Sequence, residues 1–362
     1  MRIGFRLGRK PSGGMSAFVR NLGGALESLG HQVTCIYMGD RWPELDGDHV
    51  EFGAKNQLDE YRLDANPVGK WCDENSIDVL LCPGNQASRT NGRTVWWPLT
   101  VAPFEQMAFA AVAQGRSGRA RWHAIRRSLE LSARVSDSIT FSSNYASELY
   151  RASIDAVNSK PVTVIHPTTS IPIRVREPDE SPRYLLTVSN FNRYKFAVEM
   201  VEAFYKSSCF GAGWSFKLVG NFPIPAYESV VREAIARGNS SAIELLGPKS
   251  ADELADLYAG ASGFAFASIS ENAASYTVID ALAYGLPTVA SFYSSTPEIL
   301  SNAVRYADPH SVDDIADNLS SLVDPVESQR LSRLSLQRAE HFPTWTTIGS
   351  ELVRFAESSL VT

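Results

Sequence analysis

The stretch ENAASYTVIDALAYGLPTVAS, residues 271–291, contains a loop, a helix and a strand in immediate succession. Glu271 lies in the predicted loop, and Asp280 follows nine residues later on the predicted helix. The helix is expected to stop at Gly285, and the apolar run after Pro287 predicts a buried strand. A helix that returns directly into a buried strand is typical of a parallel α/β sheet.

The same alternation of short apolar runs and longer amphipathic segments extends over the whole chain. It predicts parallel sheets with helices on both faces. A proline-containing stretch without helical periodicity, residues 167–182, interrupts it and predicts a linker. At 362 residues, the chain is expected to form two doubly wound α/β domains of similar size. The predicted strands are residues 2–7, 31–38, 77–82, 93–97, 138–143 and 161–166, then 183–189, 214–220, 241–247, 263–268 and 286–291.

The composition argues against several classes of protein. A net charge of −6 argues against a nucleic-acid binder. The four cysteines fit no metal or disulfide template, and Cys35, Cys82 and Cys209 are expected to be buried free thiols of a reducing compartment. No signal peptide and no apolar run of about 18 residues is found. We therefore expect a cytoplasmic protein.

An anion site is predicted between the two carboxylates of the opening stretch. The N–H groups of Ser275, Tyr276 and Thr277 stand at the predicted helix start, where they have no intrahelical partner. Glu271 and Asp280 flank them as acceptors for hydroxyl groups. A nucleotide sugar, with phosphates in its middle and hydroxyls on both sides, fits this arrangement.

A glycine loop, GRKPSGGMSAF, joins the first predicted strand to the first helix. Gly13 and Gly14 would let a phosphate approach the backbone at the positive end of the helix. The loop is neither the dinucleotide fingerprint nor a Walker motif. A tight turn that needs glycine is an equally good interpretation.

A second cationic loop lies in TVSNFNRYKF, residues 187–196, after the first strand of the second domain. Arg193 and Lys195 stand there just before a helix. Two such cations could hold a diphosphate, the arginine through its fork and the lysine as a point charge. A solvated loop with incidental charges is the alternative.

A basic run, RSGRARWHAIRR, stands out in an acidic chain. It predicts either an ordinary solvated helix face or a patch that meets an anionic membrane surface, with a tryptophan at the interface. The residues concerned are Arg116, Arg119, Arg121, Trp122, Arg126 and Arg127.

Taken in order, these motifs resemble glycosyltransferase family 4, whose hallmark is two acidic residues separated by seven others. DALAYGLPTVAS, residues 280–291, resembles the second half of that hallmark. The resemblance covers nearly the whole chain. Further matching stretches are residues 12–34, 139–151, 187–196, 244–268 and 342–355.

The resemblance implies the GT-B fold, with two Rossmann-like domains that face each other across a cleft. Residues 1–168 would bind the acceptor, residues 169–341 the nucleotide sugar, and residues 342–362 would form a helix that crosses back to the first domain. It implies a retaining transferase that moves a sugar from a nucleotide-diphosphate sugar to a glycan, lipid-linked or other hydroxyl acceptor. Bacterial surface glycan biosynthesis at the inner membrane face is the implied setting, and no metal or other cofactor is expected.

The resemblance also assigns roles to single residues. Lys195 and Arg193 would stabilise the diphosphate, Asp280 would bind the ribose, and Gly13 and Gly14 would complete the phosphate cradle. Three departures are visible: the family's phosphate arginine falls on Asn190, its spacing places Asn272 rather than Glu271 at the first acidic position, and residues 96–107 lack the family's histidine. Either Glu271 or Asn272 would hold the sugar hydroxyls.

Two other classes of function remain open at this stage. A GT-B nucleotide-sugar 2-epimerase would need acidic and histidine groups that these motifs do not supply. A non-catalytic relative that binds sugar nucleotides or glycans is compatible with Asn190, the shifted Glu271 and the missing histidine.

Overall fold

The computed structural model describes residues 1–9, 14–43, 45, 47–56, 59–60, 62, 67–113, 115–173 and 183–358, without the side chains of residues 112, 116 and 117. The chain divides into two compact units. The first comprises Met1–Phe109, Ala113–Thr168 and Pro343–Thr362, and the second comprises Ala110–Val112 and Thr169–Phe342.

The first unit is built on a parallel sheet of seven strands in the order β3-β2-β1-β4-β5-β6-β7. The order reverses direction between β1 and β4, so the loops after these two strands meet at one edge. The strands are β1 (Arg2–Leu7), β2 (Gln32–Tyr37), β3 (Asp48–Glu51), β4 (Val79–Pro83), β5 (Arg93–Trp97), β6 (Ser138–Phe141) and β7 (Val162–Val164).

The helices of this part of the chain connect successive strands. The described ones are α1 (Met15–Ser28), α2 (Pro67–Glu74), α3 (Gln106–Val112), α4 (Gly115–Val135), α5 (Asn144–Ser153) and α6 (Asp155–Asn158). In α5, the Ser143 hydroxyl accepts a hydrogen bond from the Ala146 N–H and so caps the first turn.

The second unit contains a parallel sheet of six strands in the order β10-β9-β8-β11-β12-β13. Here the order reverses between β8 and β11. The strands are β8 (Tyr184–Val188), β9 (Ser215–Val219), β10 (Ile243–Gly247), β11 (Gly263–Phe266), β12 (Thr288–Ser291) and β13 (Arg305–Ala307). The helices are α7 (Ala197–Lys206), α8 (Ser208–Gly211), α9 (Pro225–Ala236), α10 (Ala251–Gly260), α11 (Tyr276–Ala283), α12 (Thr296–Leu300), α13 (Val312–Ser320) and α14 (Pro325–Ala339).

The closing helix, α15 (Trp345–Ser358), belongs to the first unit and packs on α1. The Trp345 ring lies edge-on to Phe18, with 5.9 Å between the ring centroids. Ile348 and Leu352 are buried at spacing four, which places them on the same face of the helix.

Side chains from both faces of the second sheet are buried, as expected for a doubly wound fold. Along β8, Tyr184, Leu186 and Val188 pack into one apolar cluster, whereas Leu185 packs into the cluster on the other face. All four cysteines are buried free thiols, as predicted for three of them.

Two short strands, β3 and β13, were absent from the sequence prediction. Both lie at the edge of their sheet. Their sequences, DHVE and RYA, carry too few apolar residues to give a strand pattern, because an edge strand needs little burial. Of the predicted linker, residues 174–182 lie outside the described part of the chain, and residues 167–173 form neither helix nor strand.

Candidate functional site

The candidate site lies at the point where the strand order of the second sheet reverses. In open parallel sheets, ligands bind in the crevice that forms at such a reversal, beyond the carboxyl ends of the two strands. Here the two strands are β8 and β11. The loop after β8 is residues 189–196, the lysine loop, and the loop after β11 is residues 267–275, the glutamate loop.

A buried ion pair joins the two loops. Lys195 ends a single 3₁₀ turn, Arg193–Lys195, after which Phe196 adopts a left-handed conformation with φ of 49°. This turn directs the Lys195 ammonium group to the Glu271 carboxylate, to which it donates a hydrogen bond. The side chains of both residues are about nine-tenths buried. Both residues are predicted from the sequence to belong to the site, whereas their pairing is visible only in the structure.

Aromatic rings and a backbone bond surround this ion pair. The Lys195 Nζ lies 5.3 Å from the centroid of the Tyr194 ring and 5.5 Å from that of Phe266. The Ile269 N–H donates to the Tyr194 carbonyl at 3.1 Å and so links the two loops a second time. Because the rings exclude water, the attraction between the two charges is screened less than it would be at the surface.

The other predicted residues of these loops lie close by in sequence but have different surroundings. The half-buried Arg193 places its guanidinium 5.4 Å from the centroid of the Tyr227 ring. Asn190 is half-buried in the loop directly after β8. Asn272, next to Glu271, is half-buried as well. The structure thus brings Glu271 to Lys195. Whether Glu271 or Asn272 fills the first acidic position of the glycosyltransferase hallmark stays a prediction.

The start of α11 follows the glutamate loop. Ser275 is the residue before the helix, and its hydroxyl lies 3.1 Å from that of Thr277. Ala274 and Ser275 both have positive φ values, 49° and 33°, which strain the backbone of residues other than glycine. Strain of this kind clusters at functional sites and persists only where other contacts hold it. The first N–H groups of α11, including those of Tyr276 and Thr277, lie at the positive end of the helix.

Asp280 is buried one turn into α11, and its carboxylate is engaged by the segment that leads into the second unit. One oxygen accepts hydrogen bonds from the Thr169 hydroxyl and the Ser170 N–H, each at 2.7 Å, and the other accepts from the Ser170 hydroxyl at 2.8 Å. Burial raises the pKa of Asp280 to about 6, against the lowering effect of these bonds. Its role in ribose binding stays a prediction, and no sequence motif indicates the contacts with Thr169 and Ser170.

In the first unit, polar groups also gather where the strand order reverses. Arg6, near the end of β1, donates to the Glu60 carboxylate at 3.1 Å and to the Gln86 side-chain oxygen at 2.8 Å. The Gln86 nitrogen and the Ser16 hydroxyl are buried and have no hydrogen-bond partner within the described chain. This cluster was missed in the sequence analysis, because a single glutamine or serine carries no motif.

The glycine loop is only partly described. Gly13 lies outside the described residues. Gly14 is exposed and precedes α1, whose Phe18 N–H bonds to the Gly14 carbonyl at 2.9 Å. Their role as a phosphate cradle therefore stays a prediction.

The basic run lies on α4. Arg119, Arg121, Arg126 and Arg127 are exposed, and Trp122 is half-buried. Arg127 forms an ion pair with Glu130 at 3.1 Å, and the Arg126 guanidinium lies 5.3 Å from the centroid of the Phe104 ring. The side chain of Arg116 lies outside the described part. Met107, on the neighbouring α3, is 46% exposed and adds an apolar group to the first unit's surface.

Residues 172–333 match the sequence model of the glycosyl transferases group 1 family. The matched range contains the lysine loop, the glutamate loop and α11. This range lies within the second unit, so the similarity to the group 1 glycosyl transferases concerns that unit.

Several proteins of known activity or structure are similar to the chain. The D-inositol 3-phosphate glycosyltransferase of Mycolicibacterium smegmatis is 30% identical over 133 residues, which span 36% of this chain and 30% of that relative. Among solved structures, WaaG, a glycosyltransferase involved in lipopolysaccharide biosynthesis, has a TM-score of 0.73 at 14% identity over 99% of this chain and 100% of its own. Anabaena HepE in complex with UDP-glucose has a TM-score of 0.74 at 12% identity, with the same coverage.

These comparisons confirm the fold class predicted from the sequence, an α/β chain of the GT-B type with two Rossmann-like parallel sheets. They also confirm the resemblance on which that prediction rested, at the level of the group 1 family. At such low identities, the structural similarity establishes the fold alone.

Membrane-spanning helices and metal-binding clusters are both absent from the described residues. None of the described helices combines the length and the apolar character that spanning a membrane requires. Within the same residues, no group of three or more histidine, cysteine, aspartate or glutamate side chains could hold a metal ion.

Removing one partner of the buried ion pair should strongly destabilise the second unit. In Lys195→Ala, the Glu271 carboxylate stays buried without a cation, so the free energy of unfolding should fall by about 3 kcal/mol. The double variant Lys195→Ala/Glu271→Gln, which buries no charge, should lose clearly less than the sum of the single variants Lys195→Ala and Glu271→Gln. Urea unfolding measures all three, and additive losses would show that the pair is not coupled. Lys206→Ala, which breaks an exposed ion pair with Asp313, is the control and should have little effect.

The raised pKa of Asp280 should make stability depend on pH in a defined direction. Between pH 6 and pH 4, the folded protein keeps a proton on Asp280 that the unfolded chain has released, so acidification favours the folded state. Each pH unit in this window should add up to about 1.4 kcal/mol to the free energy of unfolding, relative to Asp280→Asn. Parallel stability curves for the two proteins between pH 4 and pH 7 would contradict the assignment.

Proposed function

We propose that the protein transfers a sugar from a nucleotide-diphosphate sugar to a hydroxyl group of an acceptor, with retention of anomeric configuration. The observation that carries this proposal is the position of the Lys195–Glu271 pair, which stands beside the start of α11 where the strand order reverses. These groups lie within the residues that match the group 1 family. The complex of HepE with UDP-glucose supports a nucleotide sugar as the donor.

In this proposal, the second unit holds the donor and stabilises its leaving group. Lys195 and Arg193 balance the charge that builds on the diphosphate, together with the N–H groups of Ser275, Tyr276 and Thr277. Glu271 accepts hydrogen bonds from the sugar hydroxyls. Because Lys195 and Glu271 pair in the structure, a bound diphosphate shares the ammonium group with the carboxylate.

The proposed reaction breaks the bond between the anomeric carbon and the β-phosphate oxygen and forms a bond from that carbon to the acceptor oxygen. In this route both events take place on the same face of the sugar, which retains the anomeric configuration. The acceptor proton then passes to the departing phosphate, so no separate base is needed. No metal is needed either, because Lys195 and the helix start supply the positive charge that the diphosphate requires.

The first unit is proposed to bind the acceptor. The buried Gln86 nitrogen and Ser16 hydroxyl supply donors for an acceptor's oxygen atoms. Arg6 fixes the orientation of the Gln86 amide, because it donates to the amide oxygen and so turns the nitrogen away from itself. The similarity to WaaG supports a glycan or lipid-linked acceptor in bacterial surface glycan biosynthesis.

One observation favours a second candidate function, a non-catalytic protein that binds sugar nucleotides. Both carboxylate oxygens of Asp280 already accept hydrogen bonds from Thr169 and Ser170. A ribose could use Asp280 only if it replaced these donors. A protein that only binds sugar nucleotides would still function with this weaker contact to the ribose. In an enzyme, the weaker contact would lower kcat/KM.

Donor binding and turnover can be tested together. UDP, GDP, ADP, CMP, dTDP and their common sugar conjugates are screened by thermal shift, and one nucleotide class should raise Tm by several degrees. Lys195→Met should abolish the shift measured from its own ligand-free Tm, whereas Lys206→Met should keep it. With that donor, the wild type should release nucleoside diphosphate slowly to water, in the presence of EDTA as well, and the released sugar should keep its anomeric configuration by NMR.

The outcomes separate the candidates. Binding without any release of nucleoside diphosphate would leave the non-catalytic binder as the better function. An inverted sugar would exclude retention, and a free 2-epimer would indicate an epimerase. A complete absence of binding at millimolar ligand would overturn the donor site.

We also propose that the exposed arginines of α4 dock the protein on an anionic membrane. The four exposed arginines attract anionic headgroups, and Trp122 and Met107 supply the apolar contact. Replacing Arg119, Arg121, Arg126 and Arg127 with serine should abolish co-sedimentation with phosphatidylglycerol vesicles, and 0.5 M salt should weaken wild-type binding. Serine replacement of Lys206, Arg232, Arg237 and Arg330, exposed cations of the second unit, removes the same charge and should leave binding intact. Equal losses in both variants would show that only net charge matters.

A further inference from the structure

The hydroxyl groups of two consecutive serines, Ser294 and Ser295, form hydrogen bonds with the backbone of the glutamate loop. Both serines follow β12 and lead into α12. The Ser294 hydroxyl accepts a hydrogen bond from the Glu271 N–H at 3.0 Å and donates to the Glu271 carbonyl at 2.7 Å. The Ser295 hydroxyl donates to the same carbonyl at 2.8 Å and accepts from the Ala274 N–H at 2.9 Å. The pair therefore holds both ends of the segment from Glu271 to Ala274.

In these four hydrogen bonds, every serine hydroxyl acts once as a donor and once as an acceptor. Each hydroxyl has one proton, and both protons go to the Glu271 carbonyl, which has two lone pairs. Each hydroxyl oxygen then accepts one backbone N–H. Ser295 is fully buried, so water cannot replace its hydroxyl group.

The clamped segment is the strained part of the site. Ala274 and Ser275 have positive φ values, and so does Ser294, with φ of 59°. A backbone in such conformations relaxes unless other contacts hold it. The four serine hydrogen bonds are contacts of this kind, and they act on the residue whose carboxylate pairs with Lys195.

We propose that Ser294 and Ser295 are positioning residues of the donor site. They fix the Glu271 backbone, so that its carboxylate points to the sugar hydroxyls and the N–H groups at the start of α11 point to the diphosphate. Neither serine touches the donor in this proposal. The inference rests on the proposed function, since it concerns how the donor site of that function is held in shape.

A positioning role can be separated from a purely structural one, because Ser294 has a positive φ. Glycine adopts this conformation without strain, so Ser294→Gly removes the hydroxyl while relieving the backbone. Its Tm should stay close to that of the wild type. Ser335→Ala is the matched control, because the Ser335 hydroxyl is also fully buried in the second unit and donates to the Leu286 carbonyl at 3.0 Å.

The experiment compares wild type, Ser294→Gly, Ser295→Ala and Ser335→Ala by thermal unfolding, calorimetric titration and turnover. The probes are UDP-glucose, GDP-mannose and ADP-glucose, with the matching nucleoside diphosphates, and the one that binds the wild type best is used throughout. We expect Ser294→Gly and Ser295→Ala, each of which removes two hydrogen bonds to the glutamate loop, to weaken binding of the nucleotide sugar about tenfold. Their kcat should fall as well. Ser335→Ala should lower Tm without changing the dissociation constant or kcat.

Each result decides a different question. If the wild type binds none of the probes, the proposed function fails and the positioning role fails with it. If the wild type binds and Ser294→Gly binds equally well with equal kcat, the positioning role alone is wrong. If Ser335→Ala loses affinity as strongly as the two clamp variants, the losses reflect general destabilisation, and the proposal is overturned.

Discussion

The ion pair between Lys195 and Glu271 is the interaction on which the candidate site depends. It connects the loops after β8 and β11, which are 76 positions apart in the chain. Two buried charges of opposite sign are costly to desolvate, and the cost is offset only when their geometry is held closely. The 3₁₀ turn before Phe196 holds the lysine, and the clamp of Ser294 and Ser295 holds the glutamate. A large share of the local structure thus serves to keep one cation and one carboxylate together.

This pairing also explains how a lysine can be buried at this position. An ammonium group buried with no partner is strongly unfavourable. Glu271 supplies the counter-charge to Lys195. The buried carboxylate of Asp280 also has partners, because Thr169 and Ser170 supply the hydrogen-bond donors that it needs. In the second unit, Lys195, Glu271 and Asp280 therefore all have partners within the protein itself.

In the first unit, two buried polar groups near the reversal of strand order lack hydrogen-bond partners within the described chain. Arg6, Glu60 and Gln86 satisfy one another in part, but the Gln86 nitrogen and the Ser16 hydroxyl find no partner within the described chain. Unpaired buried donors reduce stability, and natural proteins keep few of them. Their retention here agrees with the proposal that an acceptor completes their hydrogen bonds.

The sequence by itself determined the α/β class, the two parallel sheets and the positions of the loops that carry Lys195, Arg193, Glu271 and Ser275. Those features arise from local patterns, such as apolar runs of strand length and glycine at helix ends, which need only neighbouring residues. The edge strands β3 and β13 could not be predicted, because they bury too few apolar side chains to show the sequence pattern of a strand. Only the tertiary structure decided that Lys195 meets Glu271, that Asp280 binds Thr169 across 111 positions, and that Ser294 and Ser295 clamp the glutamate loop. The physical reason is that these contacts depend on the order of strands in the sheet, which is a property of the whole chain and of no single segment.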